Sequence, residues 1–170
     1  KVDTCIVGFQ PDRLDITGGK IYVANSGGYM FPNYENTVSV IDLATFREEK
    51  RIPVAVNLHH LIADARGQVW VSSRGDYYGN TSALYCISDP AGEARVSRVT
   101  APDGTNLVVK NMTLCGDSLY LIGKDFSFSE MKDVENYAIV DTRTHEVLTT
   151  NFITDGTKAS IVEPYGIAVH

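Results

Sequence analysis

Apolar and polar residues group into short runs along this chain, and the runs recur at a regular spacing. Ile21-Tyr22-Val23-Ala24 is followed about 48 positions later by Val69-Trp70-Val71-Ser72, and about 50 positions after that by Leu119-Tyr120-Leu121-Ile122. Short runs rich in β-branched and aromatic residues, bounded by Gly, Asn and Asp, are typical of strands. The sequence therefore predicts a β-structural repeat that is present three times.

Each repeat contains four such runs, which we label strands a to d in chain order. In the first repeat the runs are Leu14 to Thr17, Lys20 to Asn25, Thr37 to Asp42 and Glu49 to Val54, and Gly18-Gly19 forms the hairpin turn between a and b. The runs of the second repeat are Leu61 to Ala65, Gln68 to Ser73, Leu84 to Ser88 and Arg95 to Thr100. Those of the third are Met112 to Cys115, Ser118 to Ile122, Tyr137 to Thr142 and Glu146 to Phe152.

Four-stranded units at this period, without helical periodicity, predict an all-β chain built as a β-propeller of four-stranded antiparallel blades. The expected blades cover residues 13–55, 60–101 and 111–153, in a single propeller segment over residues 1–170. Val2 to Phe9 resembles a strand d, so residues 1–9 are expected to end one further blade, and residues 163–170 to start another. A β-sandwich is the alternative, but it does not require the same strand order three times.

An arc of about three blades is open, because propellers close with typically 4 to 8 blades. We therefore expect the chain to be a segment of a longer propeller or one partner in completing a ring. Uncovered strand edges at both ends would favour self-association that completes or caps the arc.

Composition and charge narrow the range of functions. The 44% hydrophobic and 21% charged content is that of an ordinary soluble globular domain, and no apolar stretch reaches the length of about 18 residues that a membrane span needs. The net charge is −6 and the Lys and Arg residues are scattered, which argues against a nucleic-acid partner. Cys5, Cys86 and Cys115 form no CxxC pair and lie in or beside strand patterns, so we interpret them as small buried hydrophobes.

Topology predicts where a binding site would lie. In an up-and-down blade the loop between strands b and c opens on the same face as the connection from strand d to the next strand a, so residues of both converge. The b/c loops are long and aromatic, and Tyr offers a rigid apolar face with a polar tip that suits bulky organic ligands. The candidate ligand-binding residues are Tyr29, Tyr34, Asn57, His60, Arg74, Tyr77, Tyr78, Phe126 and Tyr165. The alternative for each aromatic is that it packs its own loop onto the blade.

The sequence gives weak signals for catalysis. His59 and His60 are adjacent and lack a carboxylate or Cys at ligand spacing, and neighbouring strand residues point to opposite faces, so we predict no metal site. We expect no cofactor and no enzymatic activity. A propeller-type lyase or hydrolase is the alternative and would need convergent histidines and carboxylates on the loop face, whereas a protein-interaction scaffold would use the same aromatic loops.

Several strings carry a resemblance to a known family: IYVANSGGY, NTVSVIDLATF, VWVSSRGDYYG, YAIVDTRTHEV, TNFITDGT and EPYGIAV. Together they resemble the YncE-type propeller proteins of Bacteroidetes, often labelled surface-layer proteins, over essentially the whole chain. The TNFITDGT and PYGIAV strings and the SSRGDY loop are more similar to the BtuG-type cell-surface lipoproteins of Bacteroides. The resemblance implies a segment of a seven-bladed propeller at the cell surface or outer membrane. It also implies a non-enzymatic protein that captures cobalamin or another corrinoid and passes it to a TonB-dependent outer-membrane transporter.

Overall fold

The computed structural model describes residues 3–76, 79–127, 131–153 and 166–168. Within these ranges the chain forms twelve strands and no helix, so none of the described segments is a helix able to cross a bilayer. The strands are β1 Pro11–Thr17, β2 Lys20–Asn25, β3 Thr37–Asp42, β4 Arg47–Pro53, β5 Leu58–Ala63, β6 Val69–Ser73, β7 Ala83–Ser88, β8 Arg95–Val99, β9 Asn111–Cys115, β10 Ser118–Ser127, β11 Lys132–Asp141 and β12 Val147–Thr149. The all-β prediction is confirmed.

The strands form three four-stranded sheets, and every sheet keeps plain chain order. Sheet 1 contains β1 to β4, sheet 2 contains β5 to β8 and sheet 3 contains β9 to β12, with antiparallel pairing throughout. This order is the predicted a-to-d order of each repeat. Short connections favour it, because antiparallel neighbours can be joined by very few residues, whereas parallel neighbours need a long crossover.

The turn between β1 and β2 shows how the sequence fixes this order locally. Thr17 pairs with Lys20, so only Gly18 and Gly19 span the turn. Both have positive φ, 56° and 73°. A two-residue hairpin turn of this kind needs positive φ at both central positions, and two glycines meet that need without steric cost.

Neighbouring sheets pack through two apolar clusters. Between sheets 1 and 2 the main buried side chains are Tyr22, Val38, Val40, Leu58, Val69 and Val71. Between sheets 2 and 3 they are Trp70, Leu84, Cys86, Met112, Leu119 and Leu121. The central strand β6 contributes to both clusters and is buried at every position, which explains why its sequence is a continuous apolar run that ends in two small serines.

Trp70 connects sheets 2 and 3 in the middle of this packing. The alternation with Val69 and Val71 predicts a core residue, and the structure confirms it, since Trp70 is 0% exposed. Its Nε1 donates to Oδ2 of Asp64 at 2.9 Å. Its ring meets that of His145, in the turn between β11 and β12, edge to face at 5.1 Å. The one polar atom of the indole is therefore satisfied inside the core.

The third sheet differs from the prediction in the length of its hairpin. The pattern predicts a long loop after Ile122, but β10 and β11 continue to pair as far as Ser127 and Lys132. The extension is rich in charged residues, which hides a strand from a hydrophobic pattern. An ion pair of 3.0 Å between Lys124 and Asp133 crosses the two strands there, as opposite charges on facing strands allow.

The two outer segments also differ from the expectation. Residues 3–9 form no strand, so the predicted strand from Val2 to Phe9 is wrong for its described part. A strand d pairs with strand c of its own sheet, and the described part of the chain supplies no such partner here. Cys5 and Val7 instead pack their side chains on sheet 1. Of the expected blade start at 163–170, only 166–168 are described, and they form no strand.

The three cysteines have different environments. Cys86 is 0% exposed and its burial raises the pKa of the thiol to about 12, so it is an inert core thiol. Cys5 is half-buried and Cys115 is exposed at the end of β9. The prediction of buried small hydrophobes is therefore right for Cys86 and wrong for Cys115, because β9 ends there and only Ser118 pairs with it.

We expect Trp70→Ala to lower the free energy of unfolding by about 3–5 kcal/mol, because it leaves a cavity between two sheets. Trp70→Phe is the control. It keeps an aromatic ring and should lose less stability than Trp70→Ala, although it gives up part of the indole volume and the bond to Asp64, whose Oδ2 still accepts from Nε2 of Gln68 at 2.9 Å. Urea denaturation followed by circular dichroism measures both variants. Equal stability of Trp70→Ala and the native chain would contradict the core assignment.

Candidate functional site

Asn57 joins the two aromatic loops at one end of sheets 1 and 2. Its backbone N donates to the carbonyl of Glu35 in the loop after β2, and its carbonyl accepts from the N of Arg74 after β6, both at 2.9 Å. Its Nδ2 donates to the carbonyl of Gly75 at 3.1 Å. The residue has a φ of 55°, a conformation that Asn tolerates better than most residues. The predicted convergence of these loops with the β4–β5 connection is therefore present in the structure.

The side chain of Asn57 still has one unused hydrogen-bonding atom. Its Oδ1 is buried and has no partner in the described portion of the chain. A buried acceptor without a donor costs stability, so a small shift that brought a donor to this atom would be favourable. Gly28, in the loop after β2, is a close neighbour of this oxygen: a Cβ atom added to Gly28 would lie 3.7 Å from Oδ1 of Asn57.

A polar cluster lies beside this junction, and we call Asp12, His59, His60 and Arg74 the inner-strand cluster. Nδ1 of His59 lies 2.8 Å from Oδ2 of Asp12, and Nη2 of Arg74 lies 2.8 Å from the same Nδ1 and 3.3 Å from the same Oδ2. A carboxylate can only accept a hydrogen bond and a guanidinium can only donate one, so Asp12 favours a proton on Nδ1 of His59 and Arg74 favours its absence. Arg74 then neutralises the carboxylate.

The two histidines lie in β5 and not in the preceding loop, which corrects the predicted position of His60. Their rings are also not on opposite faces, since the ring centroids are 4.5 Å apart at 73°. The cause is an irregularity in the pairing of β5 with β6, where Leu58 pairs with Ser73 and Leu61 with Val71. Between these two pairs the chain advances by three residues on β5 but by only two on β6. The extra residue makes a β-bulge, which changes the direction of the neighbouring side chains.

Burial keeps both histidines neutral near pH 7. The pKa of His60 is lowered to about 4, first by burial and then by the neighbouring His59 and Arg13. The pKa of His59 is lowered chiefly by burial, although the bond to Asp12 acts in the opposite direction. Asp12, Arg13 and Arg74 therefore give this region one net positive charge and two neutral imidazoles.

We expect the stability of the chain to fall as the pH drops from 6.5 towards 4, partly through His60. The unfolded chain binds a proton at His60 near pH 6.5 and the folded chain only near pH 4, so protons favour unfolding in this window. Replacing His60 with Gln should reduce the loss of stability across the window by about 2 kcal/mol.

Urea denaturation at a series of pH values measures this effect. Carboxylates titrate in the same range in both proteins, so the comparison of the variant with the native chain isolates His60. Parallel curves for the two proteins would show that the protonation of His60 is not linked to folding.

The aromatic candidates differ in their surroundings. Tyr29 is 93% exposed, and its backbone N donates to Oε1 of Gln10 at 2.6 Å, which fixes the loop while the ring projects outward. Tyr34 is half-buried and meets Phe31 edge to face at 6.1 Å. Phe126 lies on β10 opposite Asp133, in sheet 3 and not in a loop as predicted. Tyr77, Tyr78 and Tyr165 lie outside the described residues.

A surface depression of about 360 Å³ lies next to the inner-strand cluster. It is lined by Pro11, Asp12, Arg13, Leu14 and Val23. This volume is at the lower end of the range for small-molecule sites. Where the structure is described, no group of three or more His, Cys, Asp or Glu side chains is arranged to hold a metal ion.

The sequence reasoning missed Asp12, because the predicted first strand begins at Leu14 and β1 begins at Pro11. A signal for it was available. The start of strand a lies at the same end of a meander as the b/c loop, so a carboxylate two residues before the predicted strand belongs to the candidate face. The contact with His59 additionally requires β1 and β5 to be neighbours, which only the packed sheets show.

No protein-family model and no curated protein sequence matches this chain.

Proposed function

We propose that the chain is a segment of a β-propeller in which sheets 1, 2 and 3 are consecutive blades. Two observations support this arrangement. Successive sheets pack through their apolar faces, and the first strand of sheet 2, β5, contacts the first strands of both its neighbours, β1 and β9. In a propeller the blades stack in this way around a common axis.

We further propose that this segment binds a bulky organic ligand at the loop end of the blades and does not transform it. The observation that carries this proposal is the junction at Asn57, which brings the two aromatic loops and the inner-strand cluster together. The exposed Tyr29 in the loop after β2 offers an apolar platform, and the neutral imidazoles and Arg74 of the inner-strand cluster offer hydrogen-bonding groups. Such a mixture is typical of sites that recognise amphipathic ligands.

The ligand that we propose is cobalamin or another corrinoid, on the strength of the sequence resemblance. From the same resemblance we propose that the protein is a lipoprotein at the cell surface or outer membrane that delivers its ligand to a TonB-dependent transporter. The aromatic and polar surface at the loop end of the blades suits a bulky amphipathic ligand of this kind.

Isothermal titration of the chain with cyanocobalamin tests this proposal, and Tyr29→Ala is the informative variant. We expect Tyr29→Ala to weaken binding by about 1–2 kcal/mol, roughly five- to thirtyfold in Kd, as truncation of an aromatic anchor does. Its melting temperature should stay unchanged, because the side chain is 93% exposed. Leu148→Ala, at a 59% exposed position of β12, is the matched control and should keep native affinity.

Absence of heat and of any spectral change at saturating cyanocobalamin would reject a corrinoid as the ligand of this chain. Equal affinity of the Tyr29→Ala variant and the native chain would instead move the contact surface away from the loop after β2.

A lyase or hydrolase is the second candidate, because the structure brings together the histidine and carboxylate that such an enzyme would need. Asp12 orients His59, and an imidazole held in this way can accept or donate a proton at its other nitrogen. Nuclear magnetic resonance spectra of cyanocobalamin after long incubation with the chain distinguish a binding protein from an enzyme. An unchanged ligand supports binding, whereas conversion that Asp12→Asn and His59→Asn both abolish supports catalysis.

A further inference from the structure

Two adjacent strands present an equivalent apolar patch on the same face of every sheet. In sheet 2 the patch consists of Leu61 and Ala63 on β5, paired with Val71 and Val69 on β6. In sheet 3 the equivalent residues are Met112 and Leu114 on β9, paired with Leu121 and Leu119 on β10. In sheet 1 they are Leu14 and Ile16 on β1, paired with Val23 and Ile21 on β2.

In sheets 2 and 3 this patch is covered by the preceding sheet. Leu61 is 6% exposed and Met112 5% exposed. In both cases the face of the preceding sheet that covers the patch has an aromatic residue of its second strand at the centre. Tyr22 of sheet 1 packs on the patch of sheet 2, and Trp70 of sheet 2 packs on the patch of sheet 3.

The patch of sheet 1 is the exception, and we call Leu14, Ile16, Ile21 and Val23 the sheet 1 outer face. Leu14 is 60% exposed and Ile16 50% exposed. The segment around Cys5 and Val7 packs only on the β2 and β3 part of this face, against Ile21, Val23 and Ile41. Two large aliphatic side chains thus stay in water at positions that are covered in both other sheets, as at an interaction surface.

Sheet 3 carries the complementary side, which we call the sheet 3 outer face, defined by Tyr120 and Ile139. These residues pair across β10 and β11 as Tyr22 and Val40 do across β2 and β3. They point away from sheet 2, because Leu119, Leu121, Ala138 and Val140 form the side that packs on it. Both are half-buried, and Tyr120 meets Phe152 edge to face at 5.4 Å.

We propose that the sheet 1 outer face binds the sheet 3 outer face of a second copy of this chain. The contact repeats between two molecules the packing that already joins sheets 1 and 2 and sheets 2 and 3 within one. It is head to tail, so each copy uses two different surfaces, and two such contacts close a ring of two chains if the rotation between sheets is maintained. This inference goes beyond ligand binding, and the two surfaces overlap, because Leu14 and Val23 also line the surface depression beside the inner-strand cluster.

Sedimentation velocity of the chain tests the proposal with two variants. We expect the native chain to form dimers and Leu14→Asp/Ile16→Asp to be monomeric with an unchanged melting temperature, because both side chains are already exposed. Val96→Asp, on β8 of the middle sheet and 38% exposed, is the matched control and should remain dimeric. A native chain that stays monomeric up to its solubility limit would overturn the proposal and leave the face to a different partner.

A mixing experiment tests the head-to-tail arrangement. Ile139→Asp alters the sheet 3 outer face and should also be monomeric, while its mixture with Leu14→Asp/Ile16→Asp should form dimers, since one intact contact remains between them. If Ile139→Asp alone stays dimeric, the two copies do not meet through this pair of faces, and the proposal is wrong. Should that variant melt well below the native chain, Tyr120→Thr takes its place in the same mixture.

Discussion

The second strand of the middle sheet, β6, is covered on both faces, and the rest of the structure depends on this constraint. It is buried at every position between sheets 1 and 3. A strand of this kind contributes Val69 and Val71 to one interface and Trp70 to the other. Because no single four-stranded sheet can supply both covers, the repeats can fold only by packing on one another.

This packing also positions the candidate site. β5 is held between β1 and β9, so the bulge that turns His59 and His60 towards the same side occurs where β1 presents Asp12. Asn57 immediately precedes this strand and fixes the loops on either side of it. The core and the polar cluster thus share one strand, so a change in β5 that disturbs the pairing with β6 would reach both.

The same constraint makes the outer faces of sheets 1 and 3 differ from the faces that are packed between sheets. Within the row, each aromatic-centred side meets an aliphatic patch, as Tyr22 meets Val69 and Val71. At the ends, the aliphatic patch of sheet 1 and the aromatic side of sheet 3 lack another sheet of this chain to pack on in the described structure. Side-chain packing of Cys5 and Val7 covers only part of the first of these surfaces.

The sequence by itself determined the all-β class, the four strands of each repeat and their order, because these follow from local alternation and from turns such as Gly18-Gly19. It also determined Trp70 as core and Asn57 as a loop-end residue. Only the tertiary structure decided the partners of Asp12, the shared side of His59 and His60, and the long β10–β11 hairpin. Each of these depends on which strands are neighbours and on one bulge in register, and hydrophobic periodicity carries no information about either.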